Sequence, residues 1–343
     1  MNTGATASTV VAVDLMGGDQ APDAPIQGCI AALEKGVSIL ALGDAGALAR
    51  LRSHGDYPNL KTMECSEVIT QDDPPVMAIR RKQDSTIVRG LSAVKAGQAG
   101  AFVSAGSTGA LVAGGALIVR RAKGIDRPCL GMVLPSRNKR GRGVLFVDLG
   151  ASSDVRPETL VEFGLMGKIY AERVLGWDDP RVALLNIGTE KQKGSMIARK
   201  AYTLMENAPL NFVGNIEARD VFFGKADVVV TDGFTGNVFL KTCEGTVLFQ
   251  LEAIKEGVHH SGIMSKLGAL LMKPVFRKVH ETLDYSAYGG APLLGLEGCV
   301  VKCHGSSDGR AIANGIGQAL KFVSNDVAAI ISETIAQIHE QNA

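Results

Sequence analysis

The chain has 343 residues, 46% of them hydrophobic and 5% aromatic, enough for one large or two modest units with an ample core. Its 36 Lys and Arg stand against 35 Asp and Glu, and a formal charge of +1 supplies no global field for nucleic acid, which excludes most DNA- and RNA-binding classes. The six cysteines (Cys29, Cys65, Cys129, Cys243, Cys299 and Cys303) are dispersed without a CxxC pair, which fits a reducing cytoplasm and argues against a disulfide-stapled secreted domain.

Residues 1–9 are small and polar, with neither a basic start nor an apolar stretch, and read as a disordered tail rather than an export signal. A first strand at 10–13 runs into a turn carrying Asp14, Gly17, Gly18 and Asp19, where two glycines permit close backbone approach and two carboxylates stand nearby. A strand at 38–42 precedes a helix at 45–53, and another helix follows at 86–96. The uncharged run between Lys95 and Arg120 exceeds the roughly 20 residues that span a bilayer. Its glycines and hydroxyls read better as strand 101–104, a glycine turn and a buried helix. In that turn Ser104, Gly106, Ser107, Thr108 and Gly109 lie ahead of a helix, which suits either an anion such as phosphate or simple capping.

Strands at 130–134 and 144–147 flank the basic loop 137–142, read either as a solvated hairpin loop or as a charge-steering surface for an acidic partner. A helix at 159–175 leads to a strand at 182–185 and a turn with Lys191 and Lys193, then a helix at 196–207. The strand at 228–230 ends in a turn holding Asp232, Thr235 and Asn237. Residues 236–288 break the alternation with two or three successive helices, and Pro274 divides the amphipathic part of them. There Ile263, Met264, Leu267, Leu270 and Leu271 recur at helical spacing among Lys266, Lys273, Arg277 and Lys278. Such a stripe lies either on an anionic membrane or against a dimer partner or core. A last strand at 299–303 opens into His304 and a polar turn that caps the final helix.

Short, doubly apolar strands separated by helices specify an α/β protein, a three-layer α/β/α doubly wound sheet that is mainly parallel. Without a Pro- or Ser-rich linker, residues 10–335 read as one continuous domain with two α/β lobes and a helical insertion near 236–288. In such sheets ligands sit at the carboxyl ends of strands, so four unusual turns at one sheet edge point to a site. No GxGxxG or P-loop pattern is present. Cys243 has no base beside it and reads as an inert thiol, and the Cys299, Cys303 and His304 grouping lacks a further metal ligand.

The segments AVDLMGGDQAPDAPIQG, SAGSTGA, LLNIGTEKQKG, VGNIEARDVFFGKADVVVTDGFTGNVFLKTCEG and HGSSDGRAIANGI, in order over nearly the whole chain, resemble the phosphate acyltransferase family of bacterial phospholipid synthesis. The resemblance implies transfer of a fatty acyl group from acyl carrier protein to inorganic phosphate, giving acyl phosphate without cofactor or metal. It also implies an isopropylmalate dehydrogenase-like fold, a homodimer and a cytoplasmic enzyme resting peripherally on the inner membrane. There it would supply a downstream glycerol-3-phosphate acyltransferase.

The residues are compatible with that chemistry. Phosphate is its own nucleophile, so the reaction needs positioning and oxyanion donors more than a strong base. Lys193, with Lys191 as the alternative, is the candidate for holding phosphate or the developing negative charge, and Asn237 for donating to the acyl carbonyl. Asp14, Gly17, Gly18, Asp19, Ser104, Gly106, Ser107, Thr108, Gly109, Asp232, Thr235 and His304 complete the candidate substrate site. Competing readings are a coenzyme A-dependent phosphate acetyl- or butyryltransferase, a dinucleotide-dependent decarboxylating dehydrogenase, and a non-enzymatic membrane scaffold using residues 261–280.

Overall fold

The computed structural model describes residues 9–138, 141–283 and 289–341. Strand and helix alternate through β1 (Val10–Asp14), α1 (Asp23–Leu33), β2 (Ser38–Gly43), α2 (Ala45–Arg52), β3 (Leu60–Glu64), α3 (Pro75–Arg81), α4 (Thr86–Lys95), β4 (Ala101–Ser104) and α5 (Thr108–Gly114). A hairpin of β5 (Cys129–Leu134) and β6 (Val144–Val147) follows, then α6 (Pro157–Arg173), β7 (Arg181–Asn186), α7 (Met196–Glu206), β8 (Asn211–Glu217) and β9 (Val228–Val230). Next come α8 (Gly233–His259), α9 (Ile263–Leu271) and α10 (Lys273–Leu283). The chain closes with β10 (Ala291–Leu294), β11 (Cys299–Lys302), α11 (Gly309–Ser324) and α12 (Val327–Gln341).

Local chemistry sets several helix starts. The side chains of Asp44, Ser85, Ser195, Asp232 and Asp308 each accept a backbone N–H of the first turn they cap, worth about 1 kcal/mol apiece. Met272 closes α9 and Pro274 sits in the first turn of α10, the division expected from the proline. Residues 101–119 form a strand, a glycine turn and a buried helix, and no described helix is long and apolar enough to cross a membrane.

The eleven strands form one sheet in the order β3-β2-β1-β4-β11-β10-β5-β6-β9-β7-β8. Alternate residues of each strand face opposite layers. Val11, Val13, Val103 and Val147 meet α1, α2, α6, α7, α11 and α12, while Ala12, Phe102, Phe146 and Val229 meet α3, α4, α5 and Leu240 of α8. This is the expected three-layer α/β/α architecture.

Strand direction departs from the sequence reading. β1 to β4 and β11 run parallel to one another, as do β6, β7, β8 and β9, but the β11/β10, β10/β5 and β5/β6 pairings between them are all antiparallel. An odd number of antiparallel steps reverses direction. The two halves therefore point opposite ways within the sheet, and the four polar turns do not share one sheet edge. Turns after β1, β4 and β11 form one cluster and those after β7 and β9 another, with α8 running from the second toward the first.

Candidate active site

The first cluster is organised by Asp14, which is buried at the end of β1. Its carboxylate accepts the Met16 N–H at 2.9 Å and the Ser104 hydroxyl at 2.7 Å, and Thr86 and the Gly17 N–H also donate to it. Burial nevertheless raises its pKa above the ordinary carboxylate value, outweighing those bonds. Ser104 in turn accepts the Gly106 N–H at 2.9 Å, so its one donor is spent on Asp14 and it shapes the turn rather than offering a free hydroxyl. A Cβ on Gly17 would lie 2.6 Å from both Asp14 Oδ2 and the Gly106 nitrogen, so the turns after β1 and β4 meet backbone to backbone. Gly18, at φ 100°, and Asp19 continue the stitching, the Asp19 N–H donating to Gly305 O at 2.8 Å. Ser107 caps α5 just before Thr108, and Gly109 packs against Pro75.

His304 joins this cluster from the end of β11. Its Nδ1 accepts the Ser306 N–H at 3.2 Å and pairs with the Ser306 hydroxyl at 2.8 Å, which leaves the proton of the neutral ring on Nε2, 4.0 Å from Glu244 of α8. Burial pulls the His304 pKa down, against a smaller upward pull from Glu244. Lys302, not among the residues singled out from the sequence, lies buried beside it. Its Nζ donates to Ala105 O at 3.3 Å and also to Cys303 O. The signal that could have found it is a lysine ending an otherwise apolar strand immediately before a polar turn.

In the second cluster, Asp232 is committed to capping α8, accepting the Thr235 N–H at 2.8 Å and its hydroxyl at 2.7 Å. Asn237 is exposed beside Gly150, and its side-chain amide makes no hydrogen bond among the described residues. The loop next to it is braced by buried Asp148, which accepts N–H groups of Leu130, Ala151 and Ser152 and the Ser152 hydroxyl.

The turn after β7 is held by two asparagines: Asn186 donates to Lys193 O at 3.0 Å and to Asn215 Oδ1 at 3.1 Å, and Asn215 donates to Glu190 O at 2.8 Å. Lys191 pairs with Glu206 and lies 5.4 Å from the Tyr202 ring centre. Lys193 is exposed and makes no ion pair among the described residues. A cavity of about 210 Å³ lined by Leu184, Ser195, Ile197, Thr231 and Asp232 joins the β7 and β9 turns.

Other candidates fall outside both clusters. Loop 137–142 is the expected hairpin connection, with Lys139 and Arg140 outside the described residues. Asn138 donates to Asp227, just ahead of β9, so the loop stands at the opposite end of β9 from Asp232 and cannot steer a partner directly onto the Lys193 turn. Burial pushes the Cys243 thiol up, and it pushes Cys303 up to about 12. Among the described residues no His, Cys, Asp and Glu group could hold a metal.

The profile of a family described as fatty acid synthesis protein matches residues 9–330. The chain belongs to that family. Its relatives include a phosphate acyltransferase of Geobacillus, 47% identical over 331 residues that cover 96% of this chain and 99% of the relative. Another, from Alkaliphilus oremlandii, is 46% identical over 331 residues, covering 96% and 98%. Among solved structures, a phosphotransacetylase from Streptococcus pyogenes superposes with a TM-score of 0.63 over 93% of this chain and 95% of that one, at 17% identity. A branched-chain phosphotransacylase from Enterococcus faecalis gives 0.56 over 92% and 99%, also at 17%. These two show that the family shares the phosphotransacetylase fold.

Proposed function

We propose that this protein is a phosphate acyltransferase that moves a fatty acyl group from acyl-acyl carrier protein to inorganic phosphate. The near-full-length match to proteins named phosphate acyltransferase carries the reading. A phosphate oxygen attacks the thioester carbon, the C–S bond breaks, and the carrier leaves as a thiol after its thiolate takes up the proton released from phosphate. The products are acyl phosphate and free carrier. Nothing in this step demands a protein nucleophile, which agrees with buried, high-pKa cysteines.

Lys193 is the residue assigned to the negative charge that develops on the thioester oxygen, because Lys191 is already occupied by Glu206 and Tyr202. Asn237 is assigned as the amide donor to the acyl carbonyl. The turns after β1, β4 and β11 are assigned to phosphate. Asp14 and Ser104 hold their shape, with Gly17, Gly18, Asp19, Gly106, Ser107, Thr108, Gly109 and His304 around them, while Asp232 and Thr235 fix the start of α8.

The helical segment supports a homodimer and peripheral contact with the inner membrane face. Leu248, Phe249 and Ile254 of α8 and Ile263, Met264, Leu270 and Leu271 of α9 are exposed, and Lys266, Lys273, Arg277 and Lys278 stand among or beside the α9 and α10 positions. Large apolar faces of this kind need a second copy or a lipid surface. At that surface the acyl phosphate passes to a glycerol-3-phosphate acyltransferase.

The test is acyl phosphate formation from palmitoyl-acyl carrier protein and inorganic phosphate by the folded wild type, Lys193→Ala and Asn237→Ala. Turnover in wild type with losses on the order of 10² in each variant is expected. No turnover by an intact wild-type protein would defeat the reading and bring forward a coenzyme A thioester as donor.

A further inference from the structure

The buried lysine at the end of β11 has no part in the assignments above. Lys302 is 8% exposed, and its register partner on β4 is Ser104, so its charge lies in the middle of the sheet, at the rim of the first cluster. An ammonium has three N–H donors. Two reach main-chain carbonyls, those of Ala105 in the turn after β4 and Cys303 at the exit of β11. No ion pair is formed with it by any described residue. Asp14 and Asp19 favour its charge through space, but neither touches it, and the Asp14 carboxylate is already hydrogen-bonded by Met16, Gly17, Thr86 and Ser104. Cys303, His304, Glu244 and Lys241 are the remaining charged or titratable groups nearby, and Glu244 is drawn to Lys241 at 2.8 Å.

A neutral donor could join two carbonyls. A buried cation costs several kcal/mol unless an anion compensates it, so the positive charge is explained by a ligand and not by the cross-link. The two carbonyls it joins belong to the turns that carry Gly106, Ser107, Thr108 and His304. We propose that Lys302 is the fixed positive charge of the phosphate subsite, holding the turns after β4 and β11 together and giving its remaining N–H to the bound phosphate. This rests on the reading that phosphate docks at the first cluster. It divides the work between two lysines, Lys302 for ground-state phosphate and Lys193 for charge that develops during transfer.

The experiment compares full-length wild type, Lys302→Met, Lys302→Arg and Lys193→Ala, with inorganic phosphate as the probe. In Lys302→Met the KM for phosphate should rise about tenfold or more, the loss of one charge-assisted contact. The KM for palmitoyl-acyl carrier protein should stay within about twofold, and the rise in Tm that phosphate gives wild type should disappear. Lys302→Arg, which keeps the charge, should recover part of the phosphate affinity. Hydrogen exchange on wild type makes the test independent of whether Lys302→Met folds. Added phosphate should protect residues 105–108 and 303–307, and protection confined to 188–194 would overturn the proposal. So would an unchanged phosphate KM in folded Lys302→Met. With wild-type turnover intact, an unchanged phosphate KM removes Lys302 alone and protection confined to 188–194 removes the first cluster as the phosphate subsite, whereas a wild type that makes no acyl phosphate removes the reaction as well.

Discussion

Two buried aspartates at strand ends brace the two polar clusters in the same way, yet the lysine of each cluster is treated oppositely. Asp14 after β1 and Asp148 after β6 each collect backbone N–H groups and a serine hydroxyl, and burial pushes both carboxyls up. In the first cluster the nearby lysine, Lys302, is sealed into the sheet, whereas in the second Lys193 stands in solvent on a turn fixed by Asn186 and Asn215. A buried charge is rigid and strongly felt by a small anion, while an exposed one can follow a group whose charge grows during reaction. The same bracing device thus supports a static subsite and an adaptable one.

The sharpest way to break this contrast is to exchange the roles of the two lysines after β7. Lys193→Ala should cost on the order of 10² in kcat, while Lys191→Ala, which removes a charge already paired, should stay within about threefold. Equal losses in steady-state assays would mean that the turn as a whole, and not Lys193, carries the effect.

The bracing itself is tested by stability. Asp14→Ala leaves several buried donors unpaired and should lower unfolding free energy by about 2–4 kcal/mol, and Ser104→Ala by about 1–2 kcal/mol, in urea titrations. If Ser104→Ala left stability untouched and raised only the phosphate KM, Ser104 would be a ligand after all.

Burial holds Lys302 at about 8 instead of its ordinary 10.5. Cys303, Asp19, Asp14, Lys241 and His304 are the charged and titratable groups that face it. Between those two values the unfolded chain binds more protons than the folded one, so this lysine makes stability rise as pH climbs through that window. Below about 8 the cost of the buried charge is fully present, on the order of 3 kcal/mol. Unfolding curves of wild type and Lys302→Met from neutral to alkaline pH should show the wild type gaining up to about 3 kcal/mol relative to the variant as pH rises. A constant gap would show that Lys302 is not charged when buried.

The smallest effect is expected from the hairpin loop. Arg137→Ala and Arg142→Ala should change the KM for acyl carrier protein by less than about twofold, because the loop adjoins the start of β9 and not its end. A large increase would bring the carrier to that side of the molecule.

Much of the architecture was legible because it rests on local patterns. Doubly apolar runs marked β1, β2, β4, β6, β7 and β9, and helical length and period marked α2, α4, α6 and α7. The strands that escaped are two edge strands and one that contains a proline. β3 and β8 are the two edges of the sheet, carrying Lys61, Thr62 and Glu64 or Asn211 and Asn215, and β10 contains Pro292. Such strands lack the continuous apolar run that buried neighbours impose. Likewise the glycine-rich and lysine turns were visible as unusual segments, but not which hydroxyls were already spent.

From its own order of residues this chain determined a three-layer α/β protein, a family, and the set of polar turns from which its site is built, because periodicity, glycines and caps act over a few residues. Tertiary structure alone decided that the turns divide into two clusters, since three antiparallel pairings reverse the sheet. It alone decided that Ser104 is a brace, that Lys191 is occupied while Lys193 makes no ion pair among the described residues, and that Lys302 is a buried charge. Each of those outcomes depends on which distant donor or acceptor reaches the side chain first, and only the packed sheet brings those groups within hydrogen-bonding distance.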